Sequence, residues 1–200
     1  MDRHPTIASV DRAALLIVDI QPKLSRFIPR RDLVVETVLR LIKLAEIYSL
    51  PVALTEQNNE KLGLTEGPIR AALSQELVAP ALNKLEFSAC ASEIAQNLVL
   101  RQLNRDQIIL VGMETHICIL QTALDLVHQG RQVQVVVDGV GSRAEETHLN
   151  GLARLAQAGC ILTNWESVCY EIAVQAGDER FRRVLNEIMK GEFRVPAVSG

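Results

Sequence analysis

Cys118 ends the run Gly112-Met113-Glu114-Thr115-His116-Ile117-Cys118, where an apolar segment gives way to a helical one. A thiol in the first turn of a helix meets unpaired backbone N–H groups and the positive end of the helix dipole, which favour a thiolate. The same groups can stabilise the oxyanion that forms when a carbonyl is attacked. Cysteine is more often a packing residue than a nucleophile, so its place on the helix decides. At about 100° per residue, Ile117, Ile119, Leu120, Ala123, Leu124, Leu126 and Val127 share one half of the helix. Cys118, Gln121, Thr122, Asp125, His128 and Gln129 fall on the other, so Cys118 lies off the apolar stripe. A thiol activated in this way should alkylate faster than a free cysteine, with an apparent pKa below about 8.5. Cys90, Cys160 and Cys169 form no C-x-x-C pattern and read as core or neutral residues.

A nucleophilic thiol needs a proton acceptor and a counter-charge. His116 is two residues from Cys118, and helix positions i and i+2 do not face each other. Asp19, closing the apolar run Ala13-Ala14-Leu15-Leu16-Ile17-Val18, is better placed as a base. It could equally cap a helix or form an Asx turn before Pro22. Lys84 lies in Leu82-Asn83-Lys84-Leu85-Glu86-Phe87-Ser88, and is either the counter-charge or a surface lysine with a packed stem. The histidines His4, His116, His128 and His148 show no ligand spacing, so no metal and no cofactor are expected. Gly139-Val140-Gly141 lacks the third glycine of a dinucleotide fingerprint, which belongs after the first strand. Arg143 could bind an anionic group, start a helix or pair on the surface, and Glu56 could wall a pocket or be solvated. Glu179-Arg180-Phe181-Arg182-Arg183 reads as a solvated helix face with one apolar anchor.

The elements that must position these residues alternate. Ala13–Asp19, Pro51–Thr55, Gln107–Gly112, Gln132–Asp138 and Cys160–Thr163 read as strands, the first continuously apolar and so buried on both faces. Asp32–Tyr48, Glu93–Leu103, Thr115–Gln129, Glu145–Ala158, Ser167–Val174 and Asp178–Met189 read as helices. Strand and helix in alternation imply parallel units with right-handed crossovers. The expected fold is α/β: a three-layer, doubly wound, Rossmann-like and mainly parallel sheet of about six strands. Ligands in such folds sit beyond the C-terminal strand ends, which is where Asp19, Glu56 and Cys118 fall. The irregular stretch Gln57–Pro80 either borders that site or is a surface excursion.

The 200 residues fit one domain, 1–200. Hydrophobic residues at 48% and charged residues at 22% are enough for a sizeable core. A net charge of −3 and 4% aromatics argue against a nucleic-acid binder. Apolar runs fall far short of the roughly 20 residues a membrane span needs, and Met1-Asp2-Arg3-His4-Pro5 has no secretory h-region. A soluble, cytoplasmic protein acting on a small molecule is expected.

Asp19-Ile20-Gln21, Lys84 followed by Phe87-Ser88, and Gly112 to Cys118 resemble the three blocks of the isochorismatase-like cysteine hydrolases. Leu54-Thr55-Glu56-Gln57, Cys118 to Leu126, and Val136-Val137-Asp138 leading to Ser142-Arg143 are similar too, most of all to the isochorismatase domain-containing branch. The likeness runs from about Ala13 to Val174. It implies a triad in which Cys118 attacks a carbonyl-type carbon, Asp19 takes the thiol proton and later activates water, and Lys84 orients Asp19. It also implies a cis peptide at Met113–Glu114, with Gln21, Met113, Glu114, Thr115 and Ile117 lining the substrate and its oxyanion. The nicotinamidase branch holds a metal with an Asp-x-His after the second strand; here that region reads Glu56-Gln57-Asn58-Asn59-Glu60. The resemblance therefore implies a metal-independent hydrolase of amides, imides or related acyl compounds, and a homo-oligomer. A vinyl-ether hydrolase, or a binding module that keeps the triad without using it, are the alternatives.

Overall fold

The computed structural model describes residues 3–73, 81–92, 103–193 and 195. Six parallel strands form one sheet in the order β3-β2-β1-β4-β5-β6: β1 Ala13–Val18, β2 Val52–Gln57, β3 Leu82–Lys84, β4 Gln107–Met113, β5 Gln132–Gly141 and β6 Ile161–Thr163. The expected doubly wound α/β sheet is the one observed. Between the strands run α1 Pro22–Ser25, α2 Arg31–Tyr48, α3 Asn59–Leu62, α4 Gly67–Ala72, α5 Leu120–His128, α6 Glu145–Gln157, α7 Trp165–Ala173 and α8 Glu179–Arg183. π-helical turns lead into α5 at Thr115–Ile119 and continue α8 at Val184–Met189. Among these residues no helix is long and apolar enough to cross a membrane.

The apolar run of β1 explains its central place. Ala13, Leu15 and Ile17 face one core with α2, α7 and α8, while Ala14, Leu16 and Val18 face the other with α5 and α6. A strand buried on both faces cannot alternate apolar with polar residues. The chain leaves β1 toward β2 and β3, then returns to place β4 on β1's other side. The topological switch point thus lies between the C-terminal ends of β1 and β4, where ligands bind in open α/β sheets. Gly112 is required there: its φ is +131°, and a Cβ would sit 2.0 Å from the Val18 carbonyl oxygen.

The structure departs from the sequence reading in its details. β3 has only three residues, pairs on one side alone, and was not read as a strand. β5 runs on to Gly141, so Gly139-Val140-Gly141 is sheet and not a phosphate loop. The helix read from Thr115 starts as a π turn, α7 begins earlier, at Trp165, and the last helix divides into α and π turns. Of the helix read over Glu93–Leu103, all but Leu103 lies outside the described residues.

Candidate active site

β3 and β1 are two strand spacings apart, about 9–10 Å, and β2 lies between them. A lysine and an aspartate can meet across that gap only above the end of β2. Lys84 Nζ donates to Asp19 Oδ2 at 2.6 Å, with both side chains essentially inaccessible. β2 supplies the supports. Thr55 Oγ1 donates to Asp19 Oδ1 at 2.7 Å, and Gln57 Oε1 accepts from Lys84 Nζ at 2.7 Å. Parallel pairing sets Gln57 beside Lys84 in register. The carbonyls of Glu86 and Phe87, each 3.2 Å from Nζ, complete the ammonium's acceptors.

Asp19 caps nothing: α1 begins at Pro22 without a side-chain cap. Its backbone takes the left-handed conformation, φ 53°, which short polar residues tolerate best. The segment is clamped from the next loop. Gln21 Nε2 donates to the carbonyls of Gln57 and Gly63, its Oε1 accepts from Gln57 N–H, and Glu66 N–H donates to the Ile20 carbonyl. The Gln57–Pro80 stretch therefore borders the site over its described part. Gln21 spends its amide on backbone, so it works here as a clamp.

Across the switch point, β4 ends in a cis peptide at Met113–Glu114, as the resemblance implied, and the π turn carries Cys118. The 100° wheel does not hold through a π turn, and Cys118 is buried, not exposed. Its face of the helix is covered by 88–90: Ala89 N–H donates to Thr122 Oγ1, and Ser88 Oγ to Asp125 Oδ2. This contact holds the chain beyond Lys84 against the helix that bears the thiol.

Cys118 stands close enough to Asp19 for thiol and carboxylate to influence each other's ionisation. Burial first, and then the Asp19 charge, push its thiol up to about 12, against the opposing pull of Lys84. The thiolate-favouring helix end expected from the sequence is thus opposed by desolvation and by the neighbouring carboxylate. Burial also raises the Asp19 pKa, against the charge of Lys84, the hydrogen bonds from Lys84 and Thr55, and the neighbouring Cys118 thiol. A carboxylate held reluctantly ionised beside a thiol is a base ready to take its proton.

The remaining candidates divide. Met113 is fully buried. The Ile117 N–H donates to the Glu114 carbonyl, which also accepts from Ile119, so Ile117 is no oxyanion donor in this state. The Glu114 carboxylate is bound by Arg143 through its backbone N–H, Nε and Nη2, which settles Arg143 as an ion-pair partner. Glu56 is neither pocket wall nor solvated: it accepts from Thr65 N–H, Thr65 Oγ1 and Asn59 Nδ2. His116 turns to Ser142 Oγ. Buried Thr115 meets His148 Nδ1 at 2.9 Å, and His148 Nε2 lies 2.6 Å from Arg30 Nη1. Arginine only donates, so Nε2 accepts and Nδ1–H donates to Thr115. The sequence reading missed this group, together with the roles of Thr55 and Gln57. Among the described residues no three His, Cys, Asp or Glu side chains group as a metal site.

A parallel sheet with acid, lysine and thiol at its switch point defines a hydrolase-type α/β fold, and comparison with known proteins agrees. The caenorhabditid structure titled MAR1 ribonuclease, from Caenorhabditis elegans, superposes with TM-score 0.84 at 30% identity, covering 96% of this chain and 98% of that one. YcaC from Pseudomonas aeruginosa, solved with hexane-2,5-diol and covalent acrylamide, gives 0.82 at 25%, covering 94% and 95%. Isochorismatase domain-containing protein 2 of Bos taurus is 35% identical over 170 residues, 85% of this chain and 79% of that protein. The isochorismatase domain model matches residues 13–167, and the chain belongs to the isochorismatase family.

Proposed function

We propose that this protein is a metal-independent cysteine hydrolase that cleaves a small amide, imide or related acyl C–N bond through a thioester on Cys118. The observation that carries this reading is the buried Lys84–Asp19 ion pair at the switch point of the sheet, with the buried Cys118 thiol beside the carboxylate. Asp19 takes the Sγ proton as sulfur attacks the carbonyl carbon, and then returns that proton to the departing nitrogen as the C–N bond breaks. Asp19 next deprotonates a water that attacks the thioester. The acid leaves, and the proton on Asp19 goes back to sulfur. Lys84 holds Asp19 in place throughout, itself fixed by Gln57 and two carbonyls. The covalent acrylamide of the P. aeruginosa neighbour fits a fold that presents a reactive nucleophile, since acrylamide is an acceptor to which thiolates add.

The ribonuclease name of the C. elegans neighbour offers a second reading. A net charge of −3 and a lysine bound to four acceptors give a polyphosphate chain little to hold, so the small-molecule reading is preferred. Small amides, imides, carbamoyl compounds and a single-stranded RNA should be offered to wild type and Cys118→Ala. The expected result is turnover of a C–N substrate by wild type only, with the acyl group trapped on Cys118 in mass spectra. RNA cleavage without amide turnover, or full activity in Cys118→Ala, would overturn the proposal.

A further inference from the structure

Gln57 is tied at both ends. Gln21 grips its backbone, Oε1 accepting from Gln57 N–H at 2.8 Å and Nε2 donating to its carbonyl at 3.1 Å. Its side chain reaches across to the neighbouring strand, Oε1 accepting from Lys84 Nζ and Nε2 donating 2.7 Å to the Leu85 carbonyl. Leu85 follows Lys84 directly, so one amide fixes both the ammonium and the backbone that carries it. Gln21 in turn lies two residues beyond Asp19. The ends of β1, β2 and β3 are thereby joined through two glutamines, Gln21 and Gln57.

An ammonium has three protons and no lone pair. One proton goes to Asp19, one to Gln57, and the third points at the paired carbonyls of Glu86 and Phe87. Without the glutamine oxygen, a buried N–H would be left unsatisfied or would turn toward Asp19, competing with the thiol for the carboxylate. Thr55, two residues earlier on the same strand, supplies the opposite polarity by donating to Asp19. From the geometry we infer that Gln57 is a positioning residue for the triad, holding the Lys84 ammonium in the orientation that leaves Asp19 open to the Cys118 proton. The inference rests on the cysteine-hydrolase reading.

The test reads Cys118 directly, so it needs no substrate. Carbamidomethylation of Cys118 by iodoacetamide is followed by peptide mass spectrometry from pH 5 to 10 in the folded protein, with Cys90 as the internal reference. Wild type is compared with Gln57→Met, which keeps the volume and loses both polar ends, and with Gln57→Glu, which keeps an acceptor for Lys84. Circular dichroism reports folding. In Gln57→Met the Cys118 rate should fall about 10- to 100-fold, the usual consequence of misplacing a reacting group by about an ångström. The acid end of its pH profile should also move to lower pH, because an ammonium turned wholly onto Asp19 eases that carboxylate's ionisation. Gln57→Glu should stay within about fivefold of wild type. A folded Gln57→Met with the wild-type rate and profile overturns the inference alone. Equal loss in both variants without a shift of profile also overturns it, because the residue would then be only a backbone clamp. Wild-type Cys118 reacting no faster than Cys90 overturns the hydrolase reading, and the inference with it. Should Gln57→Met not fold, Gln57→Asn, polar but one methylene too short to reach Lys84, is held to the same outcomes.

Discussion

Two carboxylates lie buried beside cations at the same end of this molecule, and their proton affinities shift in opposite directions. Glu66 accepts from Arg31 Nε and Nη2, each at 2.9 Å, and from Ser25 Oγ at 2.6 Å. Burial alone would raise its pKa, but the Arg31 and Ser25 hydrogen bonds and the Arg31 charge outweigh burial and lower it. Asp19 has a lysine at 2.6 Å and a threonine at 2.7 Å, yet burial prevails and its pKa rises. The difference is in how the cation meets the carboxylate. Arg31 forks onto both oxygens of Glu66 and still has Nη1 for Asp32, whereas Lys84 reaches one oxygen of Asp19 and divides its remaining protons between Gln57 and two carbonyls. A saturated pair staples the loop after β2 onto α2. An unsaturated one keeps a carboxylate able to accept a proton from Cys118. Burial of an ion pair alone thus does not separate scaffold from chemistry; the count and direction of donors does.

Removing the group that the second pair serves should have the largest effect. Cys118→Ala is expected to lower hydrolysis by about 10³-fold or more while the circular dichroism spectrum stays unchanged; residual activity near wild type would show that the pair serves something else. Lys84→Met should come next. It leaves a buried carboxylate without its counter-charge, so Asp19 holds its proton to higher pH and is a poorer acceptor for the thiol proton. The expected cost is about 3–5 kcal/mol of stability when the variant is measured at high pH, where Asp19 must still ionise, with less at low pH and activity lost throughout. Urea unfolding at several pH values measures it.

The saturated pair should behave in reverse. Glu66→Gln gives Arg31 a neutral acceptor in place of Glu66 while the Asp32 carboxylate stays 2.6 Å from Nη1, so it should cost about 2 kcal/mol in urea unfolding, while turnover stays within about threefold. Its pH signature has a definite sign. A carboxylate with a lowered pKa stabilises the fold above its unfolded pKa, near 4.3, and that contribution is lost as pH falls through the folded value. Wild type should therefore lose stability below about pH 4 that Glu66→Gln has already lost at pH 7. Asp19 has the opposite sign. Its raised pKa makes acidification through the folded value favour the fold while it shuts off the base, so Asp19→Asn should flatten that part of the stability curve. Matching pH slopes in the two carboxylate variants would erase the distinction between them.

The sheet was legible in the sequence wherever strands are buried on both faces, because β1 is an unbroken apolar run, β4 is one after its first residue, and β5 is dense in valine. β3 was not. Leu82-Asn83-Lys84 is a three-residue edge strand whose chemistry-bearing residue turns inward, and nothing in its composition announces that. Asp19 and Cys118 could be nominated from their places at strand ends, but Lys84 came in through the resemblance. The state of Cys118 was out of reach, since its desolvation depends on segment 88–90 folding over the helix from nearly thirty residues away. The supports were equally hidden: that Gln57 meets Lys84, and Thr55 meets Asp19, follows from β1–β2–β3 register, a long-range property. Glu66 and Arg31 looked like ordinary polar residues for the same reason.

The smallest change proposed here bears most closely on the balance at Asp19. Thr55→Val keeps the shape and burial of the side chain and removes one donor, the hydroxyl that bonds Oδ1. That bond acts to lower the Asp19 pKa against burial, so without it the acid should be protonated at higher pH. The acid limb of kcat/KM, which reports ionisation of the free enzyme's base, should move upward by about one pH unit, the worth of one neutral hydrogen bond to a buried group. At a pH well above that limb the rate should change by only a few fold. A neutral hydroxyl should thus tune the base where a full lysine charge does not bring it down to the ordinary aspartate range, because the lysine is committed to other acceptors. An unmoved acid limb would mean that the base titrating in kcat/KM is not Asp19.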